Sequence, residues 1–99
     1  MEVSFITVNK VIKNKQGELT AGPEMIRLDE IKSFREWYKS DAEKIAFKSD
    51  LTIIYMRDKN KDGEIEIKAI KIAEPVDIFK ERVDIVTNGF KGKGTLSES

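Results

Sequence analysis

Phe34-Arg35-Glu36-Trp37-Tyr38-Lys39 interleaves aromatic rings with cations, and Trp37 is the only tryptophan in the chain. Aromatic side chains set among basic ones stack on nucleobases or anchor a protein interface. Phe34, Arg35, Trp37 and Tyr38 are therefore the candidate binding residues. The plainer account of the same rings is a small core that needs large side chains. Lys10, Lys13 and Lys15 crowd the first polar turn. They suit phosphate contacts, or the commoner task of guarding a sheet edge with charge.

Asp58-x-Asn60-x-Asp62-Gly63-x-Ile65 matches the first eight positions of a calcium loop of the EF-hand kind. In such a loop Asp and Asn oxygens ligate the ion and glycine makes the sharp turn. The twelfth position, which should be a bidentate Glu, is Ala69, and both flanks read as strands. A polar hairpin tip accounts for the residues, and no metal site is assigned. The chain has no cysteine and no histidine. That removes disulfides, thiolate nucleophiles, Cys/His zinc sites and imidazole acid–base catalysis. Carboxylates are plentiful, but no pair is singled out by its setting. A phosphate-cradling glycine loop, a nucleophile elbow and a dinucleotide fingerprint are all missing. No catalytic residue and no cofactor is expected, and the chain reads as non-enzymatic.

The elements that must position these residues follow from periodicity. Residues 3–12 are rich in β-branched and aromatic residues and read as a strand with a break near Asn9. Lys13–Gly17 is a turn, and Glu18-Leu19-Thr20 a short returning strand that Ala21-Gly22-Pro23 should end. Met25–Leu28 is the next extended piece. Residues 29–48 read two ways. As a helix, Asp29 is the N-cap and Ile31, Phe34, Tyr38, Ala42 and Ile45 recur at steps of three and four. As a strand, Ile31–Tyr38 is extended and 39–50 is a polar excursion with one helical turn. Leu51–Met56 is apolar on both faces and hence central. Asp58–Gly63 turns it into Glu64–Lys68, where the apolar phase slips and a bulge near Ala69 is expected. Glu74-Pro75 opens an amphipathic helix over 75–86, with Asn88-Gly89 as its stop. Residues 1–87 form one domain, and 88–99 a flexible C-terminal tail. No internal repeat is read.

The fold class is α+β: a small antiparallel sheet of about five strands, open or barrel-like, with one C-terminal amphipathic helix. The 99 residues suit one core. Eighteen basic and eighteen acidic residues cancel, nine of each in either half. No basic half exists to neutralise a phosphate backbone, so nucleic acid is not the favoured partner, although composition does not exclude a patch formed on folding. The N-terminus has no signal-peptide pattern, and no apolar run is long enough to span a bilayer. An intracellular or virion-associated place is expected, with no membrane partner.

Three stretches together carry a resemblance: Ile26-x-Leu28-Asp29-Glu30-Ile31-x-Ser33-Phe34, Thr52-Ile53-Ile54-Tyr55-Met56, and Ile70-x-Ile72-Ala73-Glu74-Pro75-x-x-x-Phe79. Over roughly residues 24–83 the chain resembles small mainly-β accessory proteins of the flagellar FlbD type and similar short proteins of bacteria and their phages. The resemblance implies a strand at Ile31–Tyr38, a curled antiparallel sheet and one closing helix. It carries over no catalytic residue. It implies a structural or interaction protein that docks on a larger assembly through a protein partner, an auxiliary virion protein being the most specific form. The alternative is a small nucleic-acid-binding module using the aromatic and basic surface.

Overall fold

Two turns of the same chemistry organise the chain. Lys13-Asn14-Lys15-Gln16-Gly17-Glu18 and Lys59-Asn60-Lys61-Asp62-Gly63-Glu64 differ at one position. In the computed structural model, which describes residues 4–98 and the side chains of residues 4–87, each turn joins two long strands. These are β1 (Phe5–Lys13) to β2 (Leu19–Arg27), and β4 (Leu51–Lys59) to β5 (Ile65–Ile72). The Asn14 N–H donates to the Glu18 carbonyl at 2.9 Å, as Asn60 does to Glu64 at 2.9 Å. The Asn14 side-chain oxygen accepts from the N–H groups of Gln16 and Glu18, and that of Asn60 from Asp62 and Glu64. Gly17 and Gly63 sit at φ 83° and 82°, the left-handed region open to glycine without strain. The strand register is also the same: Ile6 faces Ile26 as Thr52 faces Ile72. The expectation of a chain without repeats is thus corrected. The two hairpins repeat at an offset of 46 residues, from Asn14 to Asn60. Outside the turn they share apolar spacing and little identity, which hides the repeat from a reading by eye.

β2 runs unbroken through Ala21-Gly22-Pro23, where an end was expected. The bonds Asn14 N–H to Glu18 and Leu28 N–H to Ser4 fix which β2 amides face β1. They are the even-numbered ones, because bonded pairs alternate along an antiparallel ladder. Pro23 therefore sits where its missing N–H would point to the open edge, and no ladder bond is lost. Nor does β1 break at Asn9 or β5 bulge at Ala69: pairing is continuous through both. Ile65 and Ile67 simply lie on the opposite face from Ile70 and Ile72 and stay half-exposed.

The strand reading of 31–38 holds, and the helix reading of 29–48 does not. A 3-10 turn at Leu28–Glu30 leads into β3 (Ile31–Trp37), which pairs antiparallel with β4. The register shifts between Ile31 and Ser33. That shift brings Ile31 and Phe34, three apart, toward the same core. A bulge thus imitates helical spacing. α1 (Asp41–Ala46) is the one short helix of the excursion, closed by a capping box of Ser40 and Glu43.

The sheet order is β2-β1-β5-β4-β3, all antiparallel, and it is open at two edges rather than closed as a barrel. β1 meets β5 through the Lys10–Ile72 pair and the Ala73 N–H on the Asn9 carbonyl. The two edge strands, β2 and β3, are joined by only three residues. In a flat sheet they would lie four inter-strand steps of about 4.8 Å apart, roughly 19 Å. Four residues reach at most about 14 Å. The sheet must therefore curl. Its inner face holds the core of Ile6, Val8, Ile26, Ile54, Met56, Ile70 and Ile72, and Phe79 of α2 plugs it. Phe79 is fully buried, edge-on to Phe34 at 4.9 Å. Arg82 anchors the helix by pairing with Glu74 at 2.6 Å and donating to the Thr7 carbonyl. α2 (Val76–Glu98) begins just after Pro75 as expected, and its backbone continues past Asn88-Gly89. The side chains from Asn88 on, and with them the expected flexible tail, lie outside the described residues.

Candidate functional site

Alternation along the paired strands divides the side chains between the core-lining inner face and an outer face. On the outer face β3 presents Ser33, Arg35 and Trp37. β4 presents Leu51, Ile53, Tyr55, Arg57 and Lys59, and β5 presents Ile65, Ile67, Ala69 and Lys71. Of the four candidate binding residues, Arg35 and Trp37 come together here. Phe34 points inward to Phe79, so it packs the core. Tyr38 follows the end of β3 and is 80 % exposed, outside the cluster.

Arg35 lies 5.9 Å from the Trp37 ring centre and 5.8 Å from that of Tyr55, and its Nη2 donates to the Tyr55 hydroxyl at 3.0 Å. Lys71 lies 4.7 Å from the Trp37 ring. Both cations are thus laid along aromatic faces, a favourable electrostatic arrangement that also limits their freedom. Glu43 reaches in from α1. Its Oε1 accepts from the Trp37 indole N–H at 3.0 Å and the Ser40 N–H at 2.8 Å, and its Oε2 pairs with Lys71 at 2.6 Å. Burial pushes the Glu43 carboxyl up, but the hydrogen bonds from Lys71, Ser40 and Trp37 outweigh it and hold the group at about 2. The helix turn at 41–46 therefore exists to deliver one carboxylate that locks Trp37 and Lys71 in place.

Sequence reasoning missed Tyr55, Lys71 and Glu43. The parity of the 51–72 hairpin places Tyr55 and Lys71 on the face of Ile53, and Ser40-x-x-Glu43 is the sequence mark of a capping box. Both signals were present. The lysine group of the first turn does not assemble: Lys10 is on the inner face paired with Glu24, while Lys13 lies on the outer face. At the calcium-like turn, Asn60 Oδ1 is already engaged by two backbone N–H groups, and Asp58 Oδ1 accepts from the Lys59 N–H. Among the described residues no group of three or more Asp or Glu is placed to hold a metal, and no helix is long and apolar enough to cross a membrane.

The charge pattern is uneven between the faces. The carboxylates borne by strands, Glu24, Glu36, Asp58 and Glu66, all fall on the inner-face phase. The outer-face strand positions carry Arg27, Arg35, Arg57, Lys13, Lys59 and Lys71 and, among the described residues, no carboxylate. The outer-face strand positions thus carry cations alone, while the inner-face phase mixes these carboxylates with Lys10 and Lys68. The one open cleft described, about 310 Å³, lies instead at the seam of the curl, with Ile26, Met56 and Ile70 among its apolar lining and Glu24, Arg57 and Lys68 among its charges.

Compared with known proteins, the chain matches no family model, no curated protein and no solved structure.

Proposed function

We propose that this protein is a non-enzymatic interaction module that docks on a larger assembly through the outer face of β3, β4 and β5. The observation that carries it is the locked Arg35–Trp37–Lys71–Glu43 cluster on the outer sheet face, away from the core that Phe79 of α2 plugs. Arg35 is exposed and Trp37 and Lys71 are half-buried over the buried Glu43, and ordering these side chains outside the main core costs side-chain entropy. Trp, Tyr and Arg held rigid at a surface are the residue types that carry binding energy at interfaces. Ile65 and Ile67, 59 % and 50 % exposed at the other end of the same face, add apolar area to it. An auxiliary component of a phage virion is the most specific form of this reading and rests on the resemblance alone.

Sedimentation of the protein from its own cells tests the reading. The native chain should travel in a complex far larger than its 11.3 kDa. The variant Arg57→Glu/Ile67→Glu, altered only at exposed outer-face positions, should travel as the free chain with an unchanged circular dichroism spectrum. Identical sedimentation of the two proteins defeats the proposal.

A further inference from the structure

We infer that the component of that assembly met by the outer face is single-stranded nucleic acid, an inference that rests on the docking role just proposed. Composition argued against nucleic acid because the charges cancel, but the outer-face strand positions carry cations alone. On β3, β4 and β5 the outer face carries Arg35, Arg57, Lys59 and Lys71. Of these only Lys71 has a carboxylate partner among the described residues; Arg35, Arg57 and Lys59 form no ion pair there. Three uncompensated cations on one face attract an anionic chain and release its counterions.

The layout suits an extended strand better than a duplex. At the Leu51 and Ile53 end the strip is buried, and its open part from Tyr55 to Lys59 runs four strand steps, about 14 Å, along a sheet two to three strands wide. The aromatic groups Trp37 and Tyr55 and the guanidinium of Arg35 form a ladder across one end, and Arg57 and Lys59 occupy the other with Ile65 and Ile67 beside them. A sheet face with rings and planar guanidinium groups for bases, and cations for the backbone, is the form that single strands use because their bases are free to splay. The register matters too. Neighbouring outer-face cations on β4 recur every second residue, so one strand lying along β4 meets Arg57 and Lys59 in succession. An acidic polypeptide would satisfy the same cations, and competition by polyglutamate tells the two apart.

The test uses the purified full chain and a fluorescein-labelled fifteen-residue oligothymidylate, read by anisotropy at low salt. Binding should weaken with salt at a log–log slope of about −2, the value for three phosphates on a single strand. Arg57→Glu/Lys59→Glu should lose at least tenfold in affinity, whereas Lys68→Glu, on the opposite face of β5, should stay within about twofold of its native value once scaled for its change of two charge units. A flat anisotropy trace at low salt overturns the inference. So does equal weakening by the two variants, and so does polyglutamate that competes as well as unlabelled oligothymidylate. In the last case the partner is an acidic protein surface, and the docking role stands on its sedimentation test.

Discussion

The hairpins β1–β2 and β4–β5 share a turn and a register, yet one lies at the rim of the sheet and the other at its centre. β4 has β5 on one side and β3 on the other, and Leu51, Thr52, Ile53 and Ile54 are all buried. The equivalent residues of β1 are Phe5, Ile6, Thr7 and Val8, of which only Ile6 and Val8 are buried. The outer-face counterpart of Lys71, clamped over Trp37, is Met25, which is 65 % exposed. The turn is thus decided locally, by an asparagine oxygen and a left-handed glycine. Burial is decided by neighbours. The seam of the curl makes the same point. The β1–β5 pair at Lys10 and Ile72 would have its repeat counterpart between Met56 and Ile26, and there the sheet leaves the open cleft instead, because β3 already occupies the edge of β4.

Isoleucine at matched positions makes the sharpest break of this comparison. Ile72 and Ile26 occupy the same place in the two copies, at 0 % and 4 % exposure. Ile72→Ala should cost about 4 kcal/mol, because strands on both sides hold the cavity open. Ile26→Ala, on an edge strand free to settle inward, should cost about 2 kcal/mol. Urea denaturation of both variants measures the difference. Equal losses would show that edge and centre are packed alike, and that neighbouring strands do not set the cost of a cavity.

The same contrast explains how much of the fold was legible. The 51–72 hairpin and the Glu74-Pro75 helix start are local signals, and both are found where the sequence places them. Pro23 was misread because its harmlessness depends on which way one amide points, which only pairing with β1 decides. Residues 31–37 were ambiguous because a bulge set by β4 spaced Ile31 and Phe34 like a helix face. At the candidate site, Arg35 and Trp37 were visible as residue types. Glu43 and Lys71 were not visible as their partners, since 28 residues separate them and contact arises only from the register of three strands. The barrel-like option failed for a related reason: strand count is readable, but closure depends on whether β2 can reach an edge that β3 has taken.

Lys71 and Met25 sharpen the comparison on the outer face. Lys71→Met installs the residue that the first hairpin carries at the matched site. Glu43 is held at about 2 against an ordinary 4.5, so it stabilises the fold fully above pH 4.5 and loses that contribution as pH falls toward 2. The full effect is about 3 kcal/mol. In Lys71→Met, burial acts on Glu43 with one strong partner gone, and the carboxyl must rise. The variant should be destabilised at pH 7 by about 2 kcal/mol and by much less at pH 2.5, where the Glu43 carboxyl of the variant and of the unfolded chain is already protonated and native Glu43 is close to taking up its own proton. Urea midpoints at the two pH values read this directly. A loss independent of pH would mean that Lys71 acts by packing on Trp37 alone.

The smallest effects concern the turns, and here the two hairpins should agree. Ala at Gly17 or Gly63 forces a β-carbon into the left-handed region, with no neighbouring atom within 4 Å at either site to add a clash. Each substitution should cost about 1 kcal/mol. Gly22 offers the contrast within the same β1–β2 hairpin. Its φ is ordinary and an added β-carbon would meet Ile12 Cδ1 at 3.5 Å, a normal contact. Gly22→Ala should therefore be neutral or stabilising by up to about 1 kcal/mol, by restricting the unfolded chain. If Gly63→Ala cost several times more than Gly17→Ala, the central position of β4–β5 would be reaching into its turn, and the separation of local turn chemistry from neighbour-imposed burial would fail at the point where the two copies are most alike.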